Sequence, residues 1–348
     1  MKNLLKQSLL SAGLVALASS AYAEGFKFYA LIDGGYGSTS INNGGTTKGE
    51  FVTGGYAPTF MGLGNEKSLG SGLTGGFKLE QGFLLTGKSQ FGEYAAFGPD
   101  ALFNRQANVY VKGDFGTVTL GTQGNIAFDS VLLGEPRAGS NFGSALATID
   151  LDGGLGTVDK GALTYKSPSL SGVSLALAYV PAQGTSKATS RLAATYSGKD
   201  AAASLATYED KPVTGAASKG TIYSGNYKLG AFTLKGLYVT QKNGALTSLS
   251  TLGGGGAYAL SPETTLDFGI YDSKDSAAHY KVATMAAGVQ YKFLKDLTLY
   301  GQYASAKNKD SKAAAWNFAG PSSAFLTSAI ARGQTASTLN VGLLYAFF

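Results

Sequence analysis

Period-two alternation governs this chain. Along its 348 residues, sixteen segments put a large apolar side chain on every second position and a small, polar or charged one between, and turn-forming residues bound each segment. They run from FKFYALIDGGYG near the start, through LTGGFKLEQGFLL and VSLALAYVP, to LNVGLLYAFF at the end. In the third, Phe77 and Leu79 alternate with Lys78 and Glu80; in the seventh, Val173, Leu175, Leu177 and Tyr179 alternate with Ser174, Ala176 and Ala178. In the last, Val341, Leu343, Tyr345 and Phe347 share one face if the segment is a strand. Apolar faces of this extent need either a protein core or a bilayer against them.

The N-terminus argues for export. Lys2 and Lys6 precede an apolar run around Leu14 to Ala18, and Ala21-Tyr22-Ala23 has the small-x-small form of a cleavage site, so residues 1–23 read as a secretory signal peptide and the mature chain, 24–348, begins at Glu24. Without Lys2 and Lys6 the net charge falls from +6 to +4, too mild to argue for a nucleic-acid partner. No run of about 18 apolar residues follows, which excludes membrane-spanning helices. The absence of cysteine removes a disulfide framework, and a single histidine, His279, removes most zinc sites and histidine-dependent triads. His279, beside Ser276 and Tyr280, reads as an exposed loop residue, and no cofactor or metal is expected.

The connections alternate in length. KSLGSG, DFG, SLSG, GKD, LGA, SPE and LKD are tight, while the intervening ones are longer and variable. An even number of strands, short turns on one rim and long loops on the other describe an all-β, antiparallel, sixteen-stranded transmembrane barrel. Closure also removes the strand edges that lipid would not tolerate. A lysine facing lipid at mid-depth costs about 2–4 kcal/mol, so the charged parity faces inward and the large apolar parity, including the terminal VGLLYAFF, faces lipid.

Two motifs dissolve in this context. GSGLTG at Gly70 to Gly75 matches a dinucleotide fingerprint, yet no βαβ unit surrounds it and it leads straight into an alternating strand. The four glycines 253–256 lie inside an alternating segment and mark close packing or bending of a strand. The anomaly is residues 124–159, far longer than an ordinary loop and without clean alternation. Its apolar residues, among them Phe128, Val131, Leu132, Leu133, Phe142 and Leu146, argue for packing, with a short helix after Asn125. Folded into the lumen, it presents Asp129, Glu135, Asp150 and Asp152, with Arg137 its only base, opposite basic wall residues.

FKFYALIDGG, LFNRQANVYVKGDFGTVTLGTQ, GALTYKSPSLSGVSLALAYVP and the terminal VGLLYAFF together resemble the Gram-negative general porins, the beta-proteobacterial branch above all, over the whole mature chain. The resemblance implies a porin of the outer membrane, commonly a homotrimer, that passes ions and small hydrophilic solutes by passive diffusion, with the third long loop, here 124–159, as constriction. Implied partners are outer-membrane lipid and lipopolysaccharide, and the barrel-assembly machinery reading Phe347 or the extra Phe348.

Departures from the family bear on selectivity. Where the second strand of such porins reads like Ser-Arg-Trp-Gly-Leu-Arg-Gly, this chain has TFMGLGN, with Phe60 and Gly64 at the basic positions; Thr122 and Thr164 stand at two further positions that are commonly basic. Arg105 is retained, and Lys78 and Lys166 sit inward where glutamine and an acid are usual. By strict alternation Arg105 shares parity with Ala107, Val109 and Val111, so its inward aim requires a bulge or a rim position. With Glu80, Arg191, Asp33 and Tyr29 these residues make up the expected lumen, and the expected channel has weak charge selectivity. Three other readings compete. One is a channel selective for a sugar or aromatic acid, with Leu31, Tyr29, Phe60 and Tyr110 as a stacking track. Another is a barrel enzyme, for which His279 has no plausible partner. The third is a soluble secreted β-sandwich.

N-terminal sequencing of the mature protein should find Glu24. Unboiled protein should migrate apart from boiled protein on a gel and give a β-type circular dichroism spectrum; a helical spectrum would contradict the barrel.

Overall fold

The computed structural model describes residues 25–42, 48–85, 102–137, 139–149, 151, 155–182, 188–211, 217–244, 247–310, 314–317 and 327–348. The signal-peptide reading of residues 1–23 lies outside them. Alternation becomes strand wherever it was expected, because a pleated strand puts successive side chains on opposite faces and only then separates the two chemical classes. The strands are β1 (Lys27–Ile41), β2 (Lys48–Thr53), β3 (Phe60–Gly70), β4 (Leu73–Gly82), β5 (Gln106–Gly113), β6 (Gly116–Gly124), β7 (Val158–Lys166), β8 (Val173–Val180), β9 (Ala188–Ser197) and β10 (Ala201–Lys211). They continue with β11 (Ser218–Leu229), β12 (Phe232–Asn243), β13 (Thr247–Ala259), β14 (Thr264–Asp275), β15 (Tyr280–Leu294), β16 (Leu297–Asn308), β17 (Ala314–Asn317), β18 (Thr327–Ile330) and β19 (Thr335–Phe347).

Neighbouring strands pair antiparallel around a closed wall, and β19 returns to β1 in unbroken register from Ala30 opposite Phe347 to Ile41 opposite Ala336. Both β2 and β3 pair with β1, through Gly34 opposite Thr53 and Leu31 opposite Phe60. They are two halves of one wall strand, interrupted at residues 54–59, so the wall has sixteen strand positions; β17 and β18 form a separate hairpin between β16 and β19.

The outward face is exposed and apolar. Val341, Leu343, Tyr345 and Phe347 are each about half exposed, as are Leu175, Leu177 and Tyr179. Aromatics collect at both ends of this belt: Tyr36, Tyr179, Tyr223, Tyr238 and Tyr303 toward the long connections, and Tyr227, Phe232, Tyr291, Phe293 and Phe347 toward the short turns. Paired aromatic girdles around an apolar band are what membrane interfaces select in a barrel. No helix among the described residues is long and apolar enough to cross a membrane; the strands cross it.

GSGLTG is the hairpin turn between β3 and β4, with Ser71 at φ 52° and Gly72 at φ 76°. The glycines 253–256 lie within β13, where a Cβ on Gly255 would meet the Phe268 carbonyl oxygen at 2.2 Å and one on Gly256 the Thr233 carbonyl oxygen at 2.1 Å. Gly256→Val should therefore destabilise the barrel by roughly 1–3 kcal/mol, read as a lower temperature for the heat-induced gel shift; an unchanged temperature would show that the neighbouring strands yield freely.

Candidate functional site

The wall strands that face the long segment 124–159 present small side chains inward. Ala178, Ala193 and Ala206, with Ile222, Leu237 and Val239, form a buried surface on β8–β12, and Ile126, Ala127 and Val131 pack into it. These come from the expected helix, α1 (Ile126–Gly134), whose start Asn125 caps by accepting from the backbone N–H groups of Ala127 and Phe128 at 2.8 and 3.2 Å. Gly134 ends the helix against β12, where a Cβ would lie 2.2 Å from the Gly236 carbonyl oxygen. Ser130 and Ser204 share a hydroxyl hydrogen bond at 2.8 Å, and the Asn226 amide donates to the Leu133 carbonyl at 3.0 Å. All of these wall contacts lie on the face opposite the apolar belt.

Beyond α1 the segment is tied to the other side of the wall. The Arg137 Nε donates to Asp267 Oδ1 on β14 at 2.7 Å and Nη2 donates to Gln302 Oε1 on β16 at 2.9 Å, while Nη1 donates to the Phe142 carbonyl. Both members of the Arg137–Asp267 pair are buried, at 0% and 1% exposure. Burial alone disfavours the arginine charge, but Asp267 beside it, with Tyr271 and Glu135 beyond, holds the guanidinium above the ordinary arginine range. Phe142 fills a pocket made with Ala286, Ala304 and Ala336, and Asn141 pairs with the interruption in the wall strand, its N–H donating to the Tyr56 carbonyl and its Nδ2 to the Gly54 carbonyl, both at 2.9 Å.

Several expected lumen residues are thereby reassigned. Glu135 and Arg137 do not face open pore: both are fully buried, and Glu135 accepts from the Tyr271 hydroxyl and from the N–H groups of Gly139 and Ala145. Asp33, also fully buried, accepts from the N–H groups of Tyr56 and Ala57 at 2.7 and 2.6 Å and from the Tyr300 hydroxyl at 2.6 Å. Arg191 is locked against Asp159, with Nη2 to Oδ1 at 2.8 Å and both side chains below 5% exposure, so it is not a free wall charge. Thr122 stands directly opposite Ala107, on the outward face shared with Leu79 and Val109, because β5 and β6 pair in regular register there.

Others fall inward. Phe60 is inward and covered, with the Arg105 guanidinium carbon 4.1 Å above its ring, and Arg105 Nε donates to Glu80 Oε2 at 3.3 Å. Arg105 reaches inside because it precedes the first residue of β5 and follows Phe103 at φ 57°, the rim position that its parity required. Tyr29 donates to Glu80 Oε1 at 2.8 Å. Gly64 stands opposite Lys78 on the inward parity, and Thr164 is inward and buried, its hydroxyl without a hydrogen-bond partner among the described residues. Lys166 and Asp129 meet at 3.2 Å, both half exposed, so a wall base and a loop acid do face each other. Asp150 and Asp152 lie outside the described residues.

A family model described as Gram-negative porin matches residues 10–311. The chain belongs to the Gram-negative porin family. Its place is the outer membrane, and it is a diffusion channel there. Among solved structures, the anion-selective porin from Comamonas acidovorans is similar at a TM-score of 0.79 and 20% identity, covering 93% of this chain and 99% of that one. OmpT of Vibrio cholerae in its trimer form is similar at 0.63 and 13% identity, covering 93% and 99%. The channel DcaP of Acinetobacter baumannii is similar at 0.58 and 13%, covering 92% and 97%. No curated protein matches the sequence. A porin selective by a stacking track is not favoured, since Leu31 and Phe60 are covered rather than open to a solute.

Sequence reasoning missed Asp267, Tyr271, Gln302 and Asn141, the groups that hold the long segment in place. Asp267 and Gln302 carried a signal, as polar residues on the inward parity of LDFGIY and YGQYASA; Asn141 carried none. Asp267→Ala leaves Arg137 charged, buried and unpaired, which should cost about 3–5 kcal/mol, read in the thermal unfolding midpoint and in open-channel current noise. Arg137→Met with Asp267→Leu should cost less than Asp267→Ala alone; equal or greater loss would mean that the pair's mutual charge is not what makes its breakage costly.

Proposed function

We propose that residues 124–159 form the constriction of this porin and that the charge selectivity it sets is weak. The observation that carries the proposal is that the segment contacts the inward side of the wall from β8 round to the interruption between β2 and β3, while the charges around it are largely consumed in pairs. Arg105 is paired with Glu80, Lys112 with Glu66, Arg191 with Asp159, Arg137 with Asp267 and Lys166 with Asp129. Among the described residues, Lys78 and Lys235 have inward parity and no ion pair, as do Lys27, Lys228 and Lys292 near the rim of short turns. A paired charge projects little field on a passing ion, and an unpaired one about 6 Å from its path in water-like dielectric changes selectivity roughly threefold before salt screening reduces it.

The same reading takes residues 1–23 as a cleaved export signal and the assembly as a homotrimer, the latter supported by the trimer form of the OmpT relative. It includes no catalytic step, and His279 sits in the exposed turn between β14 and β15. The anion selectivity named for the Comamonas acidovorans porin is that protein's own; here the inward lysines without an ion pair support a weaker preference of the same sign.

Reversal potentials across a salt gradient should give a permeability ratio within roughly threefold of unity; strong selectivity of either sign would overturn the weak-selectivity reading. Deleting residues 139–144 should raise single-channel conductance, and unchanged conductance in correctly assembled protein would remove the constriction from this segment.

A further inference from the structure

Charge is distributed unevenly along the axis of the lumen. Lys27, Lys228 and Lys292 each lie six residues toward the short turns from a wall residue engaged by the long segment or by the interruption it docks on, namely Asp33, Ile222 and Ala286. That is about 20 Å along a strand. Lys78 and Lys235 lie one inward step in the same direction from Glu80 and Leu237. All five have inward parity and no ion pair among the described residues, while the acids that face this half, Glu66 and Asp129, are held by Lys112 at 2.8 Å and Lys166 at 3.2 Å. The turns at the lip carry Asp114, Asp200, Glu263 and Asp296 against Lys199 and Lys295, so the excess positive charge lies between the lip and the constriction. On the long-loop side the inward positions carry Glu50, Asp210 and Asp275, the closed Arg191–Asp159 pair, and Lys48 at the start of β2.

Two of these lysines converge. Lys27 stands directly opposite Gly64, and Gly64 directly opposite Lys78, so the lysines flank one glycine on three adjacent strands, with α-carbons about 10 Å apart. Gly64 puts no side chain between them, and a Cβ built there would lie 3.9 Å from Lys78 Cγ, so the lysine stem borders the gap. The acids above and below the gap are engaged, Glu80 by Arg105 and the Tyr29 hydroxyl and Glu66 by Lys112 and the Tyr110 hydroxyl. Two ammonium groups on flexible four-carbon stems can therefore reach one ligand over Gly64.

From this geometry we propose that the short-turn side of the lumen binds polyvalent oxyanions, small molecules bearing two or more phosphate or carboxylate groups. The gap over Gly64 is the principal seat, and Lys228, Lys235 and Lys292 supply the field that concentrates the ligand. The proposal rests on the reading of the lumen as a diffusion channel and adds to it a ligand class and a sidedness. Valence separates such a ligand from chloride. A lysine about 6 Å from a unit charge is worth roughly threefold in water-like dielectric, and therefore roughly thirtyfold for a triply charged anion, before salt screening. The channel is thus weakly selective among monovalent ions and retentive for polyvalent anions. An anion entering past the short turns reaches the lysines without crossing the constriction; one entering past the long loops does not.

The test uses the full mature protein in planar bilayers, with tripolyphosphate as the probe and block of the potassium chloride current as the readout. Orientation is read from a Ser276→Cys change, at an exposed position beyond β14 in a chain without cysteine, by modification with a membrane-impermeant thiol reagent from one side. Tripolyphosphate on the short-turn side should half-block the current at a concentration roughly tenfold or more below that needed on the other side. Lys27→Gln with Lys78→Gln should raise the short-turn value roughly tenfold, with the heat-induced gel shift kept, whereas Lys27→Arg with Lys78→Arg should retain the block, which separates lost charge from lost fold. Lys228→Gln with Lys292→Gln should shift it less. Equal block from the two sides, or block unchanged by Lys27→Gln with Lys78→Gln, would overturn the proposal, and a larger loss from the Lys228 and Lys292 changes would overturn the seat over Gly64. The variant lacking residues 139–144 should keep the block; its loss there would place the site in the constriction instead. Strong monovalent selectivity with the sided block intact would sink the weak-selectivity reading alone, so the two readings fail separately.

Discussion

Pairing of the last strand with the first is the contact on which everything else depends. Hydrocarbon offers no hydrogen-bond partner to a backbone N–H or C=O, so an open sheet edge inside a bilayer is not sustainable. The register from Ala30 opposite Phe347 to Ile41 opposite Ala336 removes both edges at once. Closure also creates an inside. Residues with inward parity, among them Asp33, Glu80, Asp267 and Gln302, share one enclosed space only because β1 and β19 meet, and without that pairing their polar groups would have no common partners.

The interruption between β2 and β3 shows how closure permits irregular backbone. A gap of this kind facing lipid would leave unpaired groups in hydrocarbon, but residues 54–59 are satisfied from within. The Asp33 carboxylate takes the N–H groups of Tyr56 and Ala57, the Asp33 carbonyl takes the Gly54 N–H and the Thr59 hydroxyl, and the Gly55 carbonyl takes the Gln302 amide. Asn141 then docks on the same stretch. Asp33, Gln302 and Asn141 thus link three distant parts of the chain, and Arg137 joins that network through Gln302. The long segment is held by a buried polar network, whose low dielectric strengthens each satisfied bond and penalises each broken one.

Legibility followed physical range. Every alternating segment became a wall strand, since a period of two is a local property that barrel and sequence share. The helix after Asn125 was also legible, because its cap lies within three residues of what it caps. Arg105 shows the middle case: alternation alone set it outward, and only a rim position could bring it in, which the left-handed Phe103 supplies. Glu135 and Arg137 mark the limit. A charged residue in a long loop reads as exposed, and nothing near Arg137 in sequence announces that Asp267, 130 residues away, will bury it.

Taken by itself, the sequence determined the fold, the membrane face of each strand and the class of function, because these rest on side-chain alternation, turn spacing and bilayer thickness, all of which act over a few residues. Only the tertiary structure decided which charges remain free to act on an ion. Arg191 is neutralised by Asp159, and Arg137 is buried against Asp267. Electrostatic pairing depends on distance in space, and in a closed barrel that distance is set by strand register and closure, which no local stretch of sequence contains.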